Sequence, residues 1–498
     1  EAALRRLITE LPPPQIELPE GELPSLRPPI SRRTLELAYL DQLRFDDFKL
    51  EQFELAEYVP LSGTAQQRRD VQDEWQQLQM KQAFTLMPMK RAEMEVDAPP
   101  EDFTDAVSKI TELRRVVVLG EPGAGKTHTL RALAKPFYTA ALSNPTAPLP
   151  LLVKLGNWDK PDMPFATFLR EALDELGTHL EDLLKVDPVT KPARAILLLD
   201  GLNEFPPAQR VTKYPQVEAF IKAHPDVMVV VTCRQADYTV DLHMNRVVIR
   251  PLDPLRIRDF ARRALQAVDT NVAFFWKLAG AEAQRFAARF RTLFSDQLPE
   301  WETVFWVDDT LPAGMKWEQE FINEWYTGWD RWRSLRDNPS SIFTLARNPY
   351  MLRMLLDVYI QSKGELPSNR GQLFSQFVNV LLGRERMMNK TTGELTSDGQ
   401  ALLTGLQRVA YNMQIQRVGT TKDGAASVGT ALDVAVVRGI LNERLLYLAV
   451  STSILTSGNE VRFSHQLLQE YFAARYMEGE IAAGRLKASD IWQPEKWW

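Results

Sequence analysis

Val116-Val117-Val118-Leu119-Gly120-Glu121-Pro122-Gly123-Ala124-Gly125-Lys126-Thr127 runs a short β-branched stretch straight into a glycine-rich turn. The apolar run reads as a buried strand. Gly120 to Thr127 fits the phosphate-loop pattern G-x-x-x-x-G-K-[ST] in full, and a helix signal from His128 to Ala134 follows at once. A loop between strand and helix presents unpaired N–H groups and the positive end of the helix dipole to an anion. The glycines let the backbone approach phosphate, Lys126 supplies a point charge to the β- and γ-phosphates, and the Thr127 hydroxyl can ligate Mg2+.

Three similar apolar runs lie downstream, Leu149–Leu155, Ala195–Leu199 and Val227–Thr232, separated by helix-length segments such as Phe165–Leu176 and Val217–Ala223. Strands alternating with helices predict an α/β parallel sheet covered on both faces. The run Ile196-Leu197-Leu198-Leu199 ends in Asp200, the carboxylate expected to hold magnesium. Four residues on, Glu204 stands where a base can polarise the water that attacks the γ-phosphate. Arg234, at the tip of the next strand, can sense that phosphate. Cys233, the chain's one cysteine, has no partner for a disulfide and reads as a small buried hydrophobe. The five histidines show no zinc spacing, and the absence of N-K-x-D tilts the base towards adenine.

Strand signals stop near Pro251. Amphipathic helices take over through Arg256–Ala267, Ala281–Phe294, Leu345–Tyr359 and Gln372–Leu382. Val434–Leu446 reads as a helix, followed by alternating strands Ser453–Thr456 and Glu460–Ser464 around the turn Ser457-Gly458-Asn459, a winged-helix pattern. Upstream, residues 11–30 hold seven prolines and read as an extended linker. A polar helical lead-in follows, with a Gln-rich helix around Val71–Gln82. The expected organisation is a Pro-rich linker over 1–31, a lead-in over 32–110, a nucleotide-binding domain over 111–252, a helical domain over 253–400 with a Trp-rich insertion at 270–340, a winged-helix domain over 401–480, and the start of a further region over 481–498.

The 498 residues are 45% apolar and 25% charged, with a net charge of −6. That composition excludes fibrous and wholly disordered classes, and the acidic balance argues against a nucleic-acid coat. No apolar stretch is long enough to suggest a membrane span, nor does the N-terminal region show a signal pattern, so the cytoplasm is the default expectation. A chain running from Glu1 to Trp498 is expected to be part of a longer product.

These residues resemble the NACHT branch of the STAND P-loop NTPases, found among bacterial defence proteins and animal innate-immune receptors. The resemblance is carried by Gly120–Thr127, by Leu197-Leu198-Leu199-Asp200-Gly201-Leu202-Asn203-Glu204, by Thr232-Cys233-Arg234, by Arg347-Asn348-Pro349-Tyr350-Met351-Leu352, and by Phe463-Ser464-His465 through Gln469-Glu470-Tyr471-Phe472. It departs from the family pattern at Asn203, which stands in place of the commoner acid. The resemblance implies an ATP/ADP-controlled signalling switch with slow, Mg2+-dependent hydrolysis and self-association when active. In antiphage defence or innate-immune-like signalling, the effector and the sensor would lie outside this sequence. It also implies that Pro349 packs on adenine and that His465 contacts the ADP β-phosphate, with Gly120, Glu121, Pro122, Gly123, Ala124, Gly125, Lys126, Thr127 and His128 around the phosphates.

Other functions fit the same motifs. A constitutive P-loop motor needs steady turnover and no contact from His465; an ADP-locked scaffold has no use for Glu204 and Arg234. DNA binding through Arg438, Arg444 and Arg462 ranks last, because these arginines are few and interleaved with acids. Seven tryptophans lie between Trp276 and Trp332, namely Trp276, Trp301, Trp306, Trp317, Trp325, Trp329 and Trp332. The favoured reading is the core of an inserted helical bundle, and the alternative is a partner-docking surface.

Overall fold

All six residues of Ala195–Asp200 are buried, as are all but one in Arg115–Gly120 and in Met228–Arg234. Side chains alternate faces along a strand, so burial of every residue means that both faces of the sheet are covered. A computed structural model shows how. It describes residues 31–68, 98–294, 301–306, 332, 341–384, 387, 394–415, 431–457, 460–487 and 489, with short gaps inside these ranges. The linker up to residue 30, the helix expected over Val71–Gln82, and Trp317, Trp325 and Trp329 lie outside the described residues.

In chain order, α1 (Arg32–Phe45), β1 (Gly63–Gln66), β2 (Glu101–Phe103) and α2 (Ala106–Leu113) precede β3 (Arg115–Gly120) and α3 (Lys126–Ser143). Next come β4 (Leu149–Lys154), α4 (Phe165–Ala172), α5 (Leu180–Leu184), β5 (Ala195–Asp200), α6 (Pro207–Ala223), β6 (Met228–Arg234) and β7 (Asn245–Ile249). One sheet takes all seven strands in the order β2-β1-β7-β3-β6-β5-β4. The five from β7 to β4 are parallel, while β1 and β2 add antiparallel at one side. The sheet is therefore mixed, where the sequence predicts a purely parallel one. The lead-in supplies the two extra strands, and Gly63-Thr64-Ala65-Gln66 is too short and polar to announce itself. Strand β7 also went unpredicted.

Register brings the chemistry together. Gly120 pairs across from Arg234, and Lys154 across from Asp200, so the C-terminal tips of β3, β5 and β6 meet at one edge. Ligands of open α/β sheets bind at that edge. The lead-in is fastened to the same body. The Tyr39 hydroxyl accepts from the Leu152 N–H on edge strand β4, and the Glu36 carboxylate, 1% exposed, receives a two-pronged contact from Arg194 at 2.7 Å on each oxygen. Arg32 and Arg33 also pair with it. Such a buried charge is tolerable only because it is fully hydrogen-bonded.

Helices follow: α7 (Pro254–Leu265), α8 (Val268–Phe294), which breaks at Gly280 (φ 85°, ψ 157°), α9 (Trp301–Trp306), α10 (Ile342–Ala346), α11 (Pro349–Gln361), α12 (Arg370–Arg384) and α13 (Ser397–Ile415). Trp306 and Trp332 are buried. Trp306 packs on Phe275, Trp276 and Trp332, and Trp332 on Phe343, with ring centroids 4.9–5.8 Å apart. These tryptophans are core residues. The last part is a C-terminal module of β8 (Leu432–Asp433), α14 (Val434–Arg438), α15 (Glu443–Ser451), β9 (Leu455–Ser457), β10 (Glu460–Phe463) and α16 (Gln466–Ala482), the strands forming an antiparallel sheet ordered β8-β10-β9. The single helix predicted over Val434–Leu446 is two, because Asn442 caps a new helix by accepting from Leu445 N–H. Among the described residues no helix is long and apolar enough to cross a membrane.

Candidate functional site

Gly123 (φ 79°) and Gly125 (φ 92°) take left-handed backbone conformations, which cost other residues roughly 1–2 kcal/mol each. They curl the segment after β3 over the start of α3. The Lys126 ammonium folds back beneath this loop and donates to the carbonyls of Gly120 at 2.8 Å and Glu121 at 2.9 Å. Burial, helped by the nearby positive charge of Arg234 and opposed by Asp200, pushes its pKa down to about 8.

Asp200 is 8% exposed and held between two hydroxyls. Thr127 Oγ1 donates to Oδ2 at 2.9 Å, and Thr232 Oγ1 to Oδ1 at 2.5 Å. Thr232 in turn accepts from the Gly201 N–H at 2.9 Å, so its hydroxyl has one orientation. Gly201 itself is left-handed (φ 84°), and a Cβ there would stand 2.6 Å from the Glu204 side chain. No described group of three or more His, Cys, Asp or Glu side chains could cage a metal ion. One carboxylate beside one hydroxyl is instead the hard-oxygen pair that suits Mg2+ completed by water and phosphate. Thr127 and Asp200 fit that ion.

The rest of the cavity is lined by Pro122, Gly123, Lys126, Asn203, Glu204, Arg234 and residues Arg462–Gln466, and it encloses about 190 Å3. The Asn203 side chain, which stands where an acid was expected, accepts from the Arg234 N–H at 3.0 Å and ties the turn after β5 to the tip of β6. Arg234 lines the cavity. Burial raises the pKa of Glu204 above the usual carboxylate range, with Arg462 pulling it the other way. Cys233 is fully buried, its thiol pushed up to about 12 mainly by burial, and takes no part in the site.

His465 caps α16. Its Nδ1 accepts from the Leu467 N–H at 3.2 Å, and its ring stacks on Tyr350 at 3.8 Å and 7°. Burial, with Arg234 and Lys126 close by, lowers its pKa to about 3. The imidazole is therefore neutral, and since Nδ1 accepts, the proton sits on Nε2. The ring lines the cavity with a donor to offer.

Pro349 and His128 do not line it. Pro349 opens α11 behind the loop, its Cγ 3.9 Å from where a Cβ on Gly125 would stand. Its neighbours hold the loop: Asn348 Nδ2 donates to Pro122 O at 2.8 Å, while Asn348 Oδ1 accepts from the N–H groups of Tyr350 and Met351. His128 leaves the site altogether, its ring set against Phe53 at 4.9 Å and Tyr58 at 6.4 Å of the lead-in. The position after the loop's threonine faces sideways off the first turn of α3, which linear adjacency to Thr127 could not reveal.

Sequence reasoning missed Thr232, Gly156 and Arg462. Thr232 had a signal in its place one turn of the pleat before Arg234. Arg462 had only its proximity to His465, and it is not part of a basic surface: it reaches into this cavity, while Arg444 pairs with Asp398.

Residues 114–268 match the family model "NACHT domain". No curated protein matches the chain. Among solved structures it is similar to a signal transduction ATPase with numerous domains (STAND) carrying a tetratricopeptide repeat sensor, from Pyrococcus horikoshii, at 13% identity and a TM-score of 0.30, covering 76% of this chain and 45% of that one. This chain thus spans under half the length of that protein. It is also similar to PCH-2 of C. elegans (14% identity, TM-score 0.24, 39% of this chain and 59% of that one) and to Drosophila ORC in a structure bound to DNA (12%, 0.22, 77% and 95%). The phosphate loop, the hydroxyl-held Asp200 and the strand-tip arginine all fall inside residues 114–268, the segment that matches the NACHT domain.

Proposed function

We propose that this protein is an ATP/ADP-controlled switch of the STAND type that hydrolyses ATP slowly, associates with itself when open, and serves defence-type or innate-immune-like signalling through an effector and a sensor beyond this sequence. The observation that supports it is the double origin of one cavity. Lys126, Thr127, Asp200 and Arg234 come from the sheet, and His465 comes from a module more than 200 residues further along the chain. A nucleotide bound there touches both, and only a ligand with different contacts in two arrangements can shift the balance between them.

On this reading Lys126 leaves the carbonyls of Gly120 and Glu121 and turns to the phosphate oxygens. Asp200 and Thr127 would hold Mg2+, which would supply charge neutralisation at the β- and γ-phosphates. His465 donates from Nε2 to a phosphate oxygen in the closed arrangement, the C-terminal module acting as the winged helix of the family. Arg234 meets the γ-phosphate, a charge-assisted contact available with ATP alone. Glu204 accepts a proton from the attacking water.

The test is to denature the purified protein and identify the released nucleotide by chromatography. About one ADP per chain is expected, lost in Lys126→Ala and more readily exchanged in His465→Ala. An empty protein that turns over ATP steadily, regardless of His465, overturns the switch and leaves a constitutive ATPase motor.

A further inference from the structure

Arg462 crosses from the C-terminal module to the sheet. It stands on β10, three residues before His465, and its side chain is 21% exposed. NH1 donates to Glu204 Oε2 at 3.3 Å, 258 residues away in sequence, and NH2 donates to the Gly156 carbonyl at 2.6 Å. Glu460, on its own strand, steadies the same NH2 at 2.9 Å. The guanidinium thus has one anchor at home and two on the sheet domain, and its fork holds it in one direction.

Gly156 makes the room for this contact. A Cβ on residue 156 would stand 2.2 Å from Glu204 Oε2 and 2.4 Å from Arg462 NH1. Its φ is not left-handed, so backbone freedom is not what the position requires. Space for the ion pair is.

A general base works by taking a proton, and a guanidinium paired with its carboxylate disfavours the protonated form. Here Oε2 of Glu204 is engaged by a cation from another module. We propose that Arg462 is an autoinhibitory latch on Glu204: while the C-terminal module is closed against the sheet the guanidinium pairs with Oε2 of the carboxylate that hydrolysis needs, so that opening and catalytic competence arrive together. This inference rests on the reading of Glu204 as the base. The contact itself involves no nucleotide atom. The electrostatics agree, since Arg462 is the strongest influence holding the Glu204 carboxyl down against the burial that raises it.

The test uses the full chain, with ATP binding measured by titration with a fluorescent ATP analogue and Mg2+-ATP hydrolysis by phosphate release. Arg462→Ala removes the latch, and Arg462→Gln, which keeps much of the side chain without its charge, keeps the test alive if the alanine variant fails to fold. Each is expected to raise the hydrolysis rate, Arg462→Ala by roughly tenfold. Adding Glu204→Gln to Arg462→Ala is expected to return the rate to that of Glu204→Gln alone. Folded variants that bind the analogue yet hydrolyse no faster than wild type overturn the latch and leave the ATPase reading intact. A double variant as fast as Arg462→Ala also overturns it, because the arginine then acts elsewhere. If wild type and variants alike bind no analogue, the nucleotide reading fails and the latch with it.

Discussion

Asp200 illustrates how much one carboxylate depends on its neighbours. Its two oxygens accept from Thr127 and Thr232, and partners of this kind fix the direction in which a ligand presents its lone pairs. Thr232→Val keeps the shape and removes the hydroxyl. It is expected to weaken Mg2+-dependent ATP binding roughly 10–100-fold, read as a shift in the Mg2+ titration of nucleotide affinity, with little change in binding without the metal. Gly201→Ala introduces a Cβ 2.6 Å from the Glu204 side chain at a left-handed position. A loss of more than about 1 kcal/mol in chemical denaturation is expected.

At the scale of elements, the loop is gripped by the start of α11. Asn348 caps that helix and ties it to Pro122 with the same side chain. Asn348→Ala is expected to cost about 0.5–2 kcal/mol in denaturant unfolding and to loosen nucleotide retention as well, since cap and tie go together. A cap with no connection to the loop would lower stability alone. The lead-in helix α1 is likewise part of the sheet domain: Glu36→Ala takes the carboxylate from the half-buried Arg194, with an expected cost of about 1.5–3 kcal/mol. Unfolding monitored by circular dichroism measures it.

The whole molecule is drawn together by contacts between modules. His465 belongs to one of them, and its depressed pKa couples stability to pH. A histidine whose folded pKa lies below its unfolded value binds fewer protons when folded. Its contribution is therefore complete above the ordinary imidazole pKa and is lost as pH falls from there towards about 3. His465→Asn retains a cap acceptor for α16 and cannot titrate. The stability gap between wild type and variant is expected to narrow as pH is lowered from 7 to 5, by at most about 1.4 kcal/mol per pH unit, in parallel denaturant titrations. A gap independent of pH would mean that the imidazole stays solvated.

The chemistry of the phosphate loop was legible in the linear sequence because its parts are neighbours there. Loop, lysine and hydroxyl occupy eight consecutive residues, and Asp200 ends an apolar run that reads as a buried strand. Periodicity likewise separated the sheet from the helices after it, since alternation and helical spacing are local properties. What needed the tertiary structure was everything joined across long separations. The edge strands β1 and β2 are stabilised by pairing rather than by their own composition, His128 is turned off the site by the geometry of a helix turn, and Thr232 becomes a partner of Asp200 only because two parallel strands lie side by side. Arg462 reads as a surface charge until folding closes the 258 residues between it and Glu204. Sequence determined which groups this protein has for phosphate and metal; the packing of one module on another decided which of them face each other, because that proximity is a property of the fold's contacts and of no local pattern.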